Sequence, residues 1–410
     1  MNRFLQIHTL TSYPASLINR DDAGFAKRVP FGGAVRTRIS SQCLKKHWRS
    51  FDGEDGLRNL GQPMSVRSRF TFDELIVKPL RQEGLDGASV EAVTRAVMDT
   101  VLGKSTKTAK KAAQEGEDAE KGKKASAPPE TALQTGQITV LGRPEVDFLR
   151  ELVRTICKSG AKADKAAEAV KSHLGRDGAK NLAAMRCGAG LDAALFGRMV
   201  TSDILAQGDA AVHVAHAFTV HGEATESDYF SAVDELLEIR DDELGSGHIG
   251  TSELTTGLFY GYVAIDVPLL VSNLEGRPRA EWQAADRSLA ADVVDRLVKM
   301  IATVSPAAKV GSTAPYAYAQ LVLVESGSAQ PRQLCDAFLE PVAARPNLAA
   351  NAYAALGRHA ADMDRMYGRR FDRALAGLGK TEGLCDALKV AAPQSLAEVA
   401  AWAAAQVRGA

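Results

Sequence analysis

The stretch Ala34-Val-Arg-Thr-Arg-Ile-Ser-Ser-Gln-Cys-Leu-Lys-Lys-His-Trp-Arg-Ser50 changes period at its middle. Before Ser40, Arg36 and Arg38 alternate with Val35, Thr37 and Ile39. Side chains of an extended segment alternate between faces, so both guanidiniums fall on one side. Beyond Ser41 the spacing becomes helical. Gln42, Lys45 and Arg49 share one face, while Leu44 and Trp48 share another that can pack inward. Serine is a favoured N-cap, so Ser40-Ser41 open a short helix running to about Ser50. A helix start offers unpaired N–H groups and a favourable dipole to an anion. A phosphate chain entering there would meet Ser40, Ser41, Gln42 and then the Lys45–Arg49 stripe.

The charge balance isolates this stretch. The 410 residues carry 50 basic and 50 acidic side chains, a formal net charge of zero. Yet Lys27, Arg28, Arg36, Arg38, Lys45, Lys46 and Arg49 follow one another with no Asp or Glu between Lys27 and Arg49. Such local asymmetry points to an anionic partner at one place rather than to a generally basic protein. A solvated face, or pairing with acids from elsewhere in the fold, is the competing reading. The five cysteines are scattered and never in C-x-x-C spacing, which suggests neither a disulfide framework nor structural zinc and fits a reducing cytoplasm. The first residues lack the apolar core of a signal peptide, and no apolar run suggests a membrane span.

Working outward, Arg3–Thr11 reads as a strand, followed by a turn-rich stretch with Pro14, Gly24, Pro30, Gly32 and Gly33. Residues from about 52 to 195 read as mostly helical, interrupted by the low-complexity stretch 103–131, expected as a mobile loop. Val212–Val220 and Leu258–Val267 read as strands separated by the polar, acidic stretch His221–Thr256. Asp286–Val304 reads as a helix, Tyr318–Glu325 as the last strand, and the Ala-rich C-terminal stretch as helical, ending in a helix capped by Ser395 and Glu398. Without the two long insertions the order is strand, helix, strand, strand, helix, strand. This is the split βαβ order of ferredoxin-like and RNA-recognition folds, an α+β class.

Motifs for other chemistry fail on context. Gly245-Ser-Gly-His-Ile-Gly250 satisfies G-x-G-x-x-G, but acidic, helical-looking sequence precedes it and a strand follows, so a flexible tip or turn is expected instead. His213, His216 and His221 lack a carboxylate or cysteine at metal-ligand spacing and read as satisfied strand histidines. Phe259-Tyr-Gly-Tyr262 lies where RNA-recognition modules stack bases, yet core packing explains it better. No nucleophile elbow, zinc helix or P-loop motif is present in the sequence. Asp21-Asp22, the one paired carboxylate near the basic stretch, reads as turn chemistry.

Three stretches together resemble a known family: Ile7–Pro14 running on to Leu17-Ile-Asn-Arg-Asp-Asp22, Phe31-Gly-Gly33 with Arg36–Lys46, and Gly197-Arg-Met-Val-Thr-Ser202. They are similar to the CasC family, the backbone subunit of type I-E CRISPR Cascade. The resemblance implies a modified ferredoxin-like RNA-recognition palm (1–51, 196–220 and 257–345), a large helical fingers insertion (52–195), a thumb hairpin (221–256) and C-terminal helices (346–410). It implies copies stacked along CRISPR RNA beside other Cascade subunits, the guide kinked by each thumb and displayed for target DNA, with no membrane, cofactor, metal or chemistry of their own. Position by position, Arg20, Lys27, Ser40, Gln42, Lys45 and Arg49 correspond to guide contacts and Met199 to a residue wedged beside a kinked base. Asn19, Arg36, Arg38 and Ser41 join them as candidate RNA-binding residues from the motif and the cap. The loop Lys309–Thr313 matches the family poorly and carries no expected contact. The rival reading is a metal-dependent ribonuclease using Asp21 and Asp22.

Overall fold

In the computed structural model, residues 2–102, 133–160, 165–174, 188–198, 208–233, 246–306 and 313–409 are described. The strands are β1 (Phe4–Ser16), β2 (Arg28–Phe31), β3 (Ala34–Ile39), β4 (Ser65–Ser68), β5 (Thr139–Gly142), β6 (Val212–Val214), β7 (Ala217–Thr219), β8 (Thr225–Val233), β9 (Ser246–Asp266), β10 (Ala319–Gly327) and β11 (Asp372–Gly377). The α-helices are α1 (Ser41–Ser50), α2 (Lys78–Gln82), α3 (Gly87–Leu102), α4 (Arg143–Lys158), α5 (Ala166–His173), α6 (Leu191–Phe196), α7 (Val267–Glu275), α8 (Ser288–Thr303), α9 (Leu348–Tyr367), α10 (Glu382–Leu388) and α11 (Leu396–Arg408). The chain forms two compact units, one of residues 1–60, 212–267 and 287–410, the other of residues 61–211 and 268–286. The class is α+β, built on antiparallel strands.

The first unit is organised by one sheet in the order β11-β10-β1-β9-β7-β3-β2, with β6 and β8 also paired to β9. Strand β1 is buried along most of its length, because helices cover both faces of the sheet. On one face Leu10, Tyr260, Tyr262, Leu321 and Leu323 pack against Tyr353, Leu356, Leu384 and Leu388 of α9 and α10. On the other, Tyr13, Ile39 and Phe259 pack with Leu44 of α1. Phe259, Tyr260 and Tyr262 are thus core residues, in line with the core-packing reading of the sequence.

The first face also holds a buried polar cluster. Glu325 is fully buried and receives His8 Nε2 at 3.3 Å, Arg373 Nε at 2.8 Å and both terminal nitrogens of Arg332. The Leu334 N–H donates to the Tyr260 hydroxyl, which in turn donates to His8 Nδ1, leaving Nε2–H to face Glu325. Burial holds His8 below its ordinary value of 6.5. Burial alone would raise the Glu325 carboxyl, but His8 and Arg332 outweigh it and hold it far below the usual carboxylate range. Arg373 continues to Asp364 of α9, so the cluster ties β1, β10 and β11 to that helix.

The second unit is helical with one two-stranded sheet, β4 against β5. Its core is Phe72, Ile76, Val93, Val97, Leu149, Val153 and Ile156. Buried Asp192 accepts the Ser65 N–H and hydroxyl at 2.7 and 2.6 Å, and buried Glu145 pairs with Arg198. Of the Gly197–Ser202 motif, Gly197 and Arg198 are described; Met199 lies outside the described residues, as do all of 103–131 and Lys309–Ser312.

Several expectations change. The turn-rich stretch before α1 holds a hairpin, β2–β3, because Gly32 and Gly33 take positive φ at its tip. Val212–Val220 breaks into β6 and β7 at Ala215-His216. The stretch 246–250 lies in β9, paired with β8, rather than forming a flexible tip, because the sheet extends it. Tyr318–Glu325 is not the last strand: β11 pairs with β10, its alanines and Leu375 buried in a segment whose alanine content reads as helical. Strands β4 and β5 lie in the stretch expected to be mostly helical.

We predict that Glu325→Gln destabilises the protein by about 3 kcal/mol at pH 7, since it leaves buried cationic partners unmatched. A depressed carboxylate stabilises above its unfolded value of 4.5, and that contribution is lost as pH falls. The gap between variant and wild type in urea unfolding should therefore narrow as pH drops through 4.5. Parallel curves would contradict the assignment.

Candidate nucleic-acid interface

The interface is built on the β2–β3 hairpin and α1. Ser40 takes extended geometry and accepts the Cys43 N–H through its side chain, so α1 begins where the cap spacing placed it. Trp48 is buried and Leu44 joins the apolar cluster beneath, which turns the face bearing Lys45 and Arg49 away from the core. Asn19 Oδ1 accepts the Ser40 N–H at 2.9 Å, and the Asn19 carbonyl accepts the Lys27 N–H at 3.0 Å. One asparagine therefore ties the Asn19–Lys27 turn to the helix start.

Lys27, Arg38, Ser40, Gln42, His216 and Phe218 line an open cleft of about 580 Å³ in this unit. Arg38 donates Nε to the Arg28 carbonyl at 3.2 Å and lies 3.3 Å from His216 Nδ1 through its terminal nitrogen. His216 Nδ1 also accepts the Ser41 N–H at 3.2 Å. Burial lowers the His216 imidazole first, and the charges of Arg38, Lys27 and Lys45 lower it further. Three of the predicted cations thus converge on one ring, and their mutual field is what an anion entering the cleft would relieve.

Arg36 does not belong to this surface. Its side chain is fully buried and donates to the carbonyls of Phe31, Thr219, Phe338 and Leu339. The alternation that paired it with Arg38 holds along the strand, but the segment from Cys335 to Leu339 covers Arg36 and leaves Arg38 half-buried. The same segment explains Phe31-Gly-Gly33. A Cβ on Gly32 would sit 1.5 Å from the Leu339 carbonyl oxygen, and the φ of +60° is itself unfavourable for other residues.

The helix start is less open than its sequence suggested. The Ser41 N–H goes to His216 and the Cys43 N–H to Ser40, leaving the Gln42 N–H in the first turn. The Ser41 hydroxyl donates to Gln42 Oε1. Arg28, a cation of the basic run, is held by Glu223 and Glu253 on the β8–β9 side.

Arg20 is exposed and bridges Ala26 across a tight turn. Asp21 Oδ1 accepts the Phe25 N–H at 2.9 Å and the Asp21 N–H donates to the Phe25 carbonyl at 2.8 Å, with Gly24 at φ +93°. Asp21 has the turn duty its sequence context indicated. Among the described residues no group of three or more His, Cys, Asp or Glu is placed to hold a metal, and no helix is long and apolar enough to cross a membrane. Beside the cleft, β8 and the first half of β9 form a two-stranded arm, in register from Thr225 opposite Thr255 to Ala232 opposite His248, with a one-residue shift before Val233 opposite Ser246.

Fold and site define an α+β protein with a cationic cleft next to a hairpin arm. The profile of the CT1975-like protein family matches residues 5–402, and the chain belongs to that family. Among solved structures, a chain of a CRISPR RNA-guided surveillance complex, pre-nicking, is 28% identical, with 98% of this chain and 99% of that one covered and a TM-score of 0.72. A chain of a second CRISPR RNA-guided surveillance complex is 25% identical, with 99% and 100% covered and a TM-score of 0.63. No curated protein matches.

In the sequence His216 reads as a satisfied strand histidine. Its place beside Arg38 depends on the β3–β7 register, Arg38 opposite Phe218 and Ile39 opposite Ala217, which no local pattern reveals.

The two arginines of β3 separate structure from binding. Arg36→Ala should lower stability by about 3 kcal/mol, because buried carbonyls lose their donor. Arg38→Ala should change stability by less than about 1 kcal/mol. Equal losses in thermal melts would contradict this division.

Proposed function

We propose that this chain is a CRISPR RNA-binding backbone subunit of a Cascade surveillance complex, without chemistry of its own. The observation that carries the reading is the convergence of Lys27, Arg38 and Lys45 around one cleft, in a chain aligned end to end with subunits of CRISPR RNA-guided surveillance complexes. The sheet unit serves as a ferredoxin-like RNA-recognition palm; its inner order β10-β1-β9-β7 is the order expected of that fold. The helical unit is the fingers, and the β8–β9 arm is the thumb that kinks the guide. Copies stack along the RNA, beside other Cascade subunits, and display it for pairing with target DNA.

Arg20, Lys27, Gln42, Lys45 and Arg49 contact guide phosphates in this reading, with Arg38 across the cleft. Asn19, Ser40 and Ser41 shape the helix start, and Met199 wedges beside the kinked base. Affinity comes from cations replacing counterions on phosphate, so it is sequence-independent and salt-sensitive. Specificity rests with guide–target pairing. The ribonuclease alternative needs Asp21 and Asp22 to hold a metal, whereas the Asp21 carboxylate already accepts the Phe25 N–H within its own turn.

Two variants test the reading in filter binding to single-stranded RNA. Lys45→Ala with Arg49→Ala should weaken binding to all sequences and flatten the salt slope by roughly 0.7 for each phosphate no longer neutralised. Asp21→Asn should leave RNA intact with and without Mg²⁺, as the wild type does. Mg²⁺-dependent cutting by the wild type that disappears in Asp21→Asn would establish the ribonuclease instead.

A further inference from the structure

We propose that His216 is a neutral hydrogen-bond donor to the RNA backbone, presenting Nε2–H to a phosphate oxygen in the cleft lined by Lys27, Arg38 and Gln42. The inference rests on the RNA reading above. Its geometric basis is the use made of the two ring nitrogens. Nδ1 accepts the Ser41 N–H at 3.2 Å and lies 3.3 Å from a terminal nitrogen of Arg38. A backbone N–H and a guanidinium can only donate, so Nδ1 carries no proton and the ring is the Nε2–H tautomer. Nε2 has no protein partner among the described residues, and the ring is exposed at the cleft wall.

Protonating the ring would turn an Nδ1–H against two donors, and the nearby Arg38, Lys27 and Lys45 oppose the added charge. His216 therefore stays neutral near pH 7 and acts through a dipole rather than a charge. Its place in the break between β6 and β7 also has a use. The ring caps α1 with one nitrogen while the other addresses the ligand, which fixes the donor relative to Gln42 on the same helix turn.

The test uses the full chain and a fluorescein-labelled single-stranded RNA, titrated at several salt concentrations, with thermal melts alongside. The amide of His216→Asn can still accept the Ser41 N–H but lacks a donor at the Nε2 position. It should keep the wild-type melting temperature and bind RNA about tenfold more weakly, with an unchanged salt slope, since a neutral donor displaces no counterion. His216→Gln carries a donor near the Nε2 position and should recover part of the affinity. Wild-type affinity in His216→Asn would reduce the residue to a helix cap and overturn the inference, while Lys45→Ala with Arg49→Ala still reports on the cleft. A flattened salt slope in His216→Asn would also overturn it, by marking the interaction as ionic. Absence of RNA binding by the wild type would bring down both this inference and the functional reading.

Discussion

The buried guanidinium of Arg36 sets the geometry on which the binding surface depends. It gathers carbonyls from Phe31 in its own hairpin, Thr219 at the end of β7, and Phe338 and Leu339 in the segment after β10. These four groups come from three widely separated parts of the sequence. A backbone carbonyl in the interior needs a donor, and one planar fork with several N–H groups supplies them together. Burial opposes the charge, lowering the pKa of the group, so the arrangement holds only while the carbonyls stay in place. With Arg36 fixed, β3 runs on through Arg38 to Ser40, and the start of α1 follows without slack. Gly32 completes the joint, since only a residue without Cβ lets the hairpin tip approach Leu339.

The Glu325 cluster has the same character on the same face of the sheet, toward its opposite edge. Glu325 joins β1 through His8 and β11 through Arg373, while Arg373 reaches Asp364 on α9. Both clusters place a charged group inside and surround it with fixed partners. Removing one member of such a set costs more than the set contributes as a whole, because the remainder is left buried and unmatched. The proposed binding side chains differ from these: Arg38 and Gln42 line the open cleft, where a substitution leaves the core packed.

Much of this is legible in the sequence because it is local. The Ser40 cap, the amphipathic helix to Ser50 and the Ser395–Glu398 capping box are readable from spacing, since each is made within four residues. The Asp21 turn is readable for the same reason. Arg36 reads as a surface cation because nothing near it in sequence announces that Phe338 and Leu339 will cover it. The role of His216 is hidden because its partners Ser41 and Arg38 lie about 175 residues away. Strand β11 is masked by alanine, which reads as helix alone but fits a buried strand against β10. The basic run indicates the partner correctly in class, yet two of its seven cations, Arg28 and Arg36, serve the protein itself.

The central claim is that RNA lies along the cleft beside α1. Ultraviolet cross-linking of the RNA that co-purifies from cells also carrying a CRISPR array, followed by peptide mass spectrometry, tests it most directly. The account predicts one population of short array-derived RNA, cross-linked to peptides covering Asn19–Arg49 and His216. A preparation free of RNA, or cross-links confined to peptides outside these segments, would contradict it.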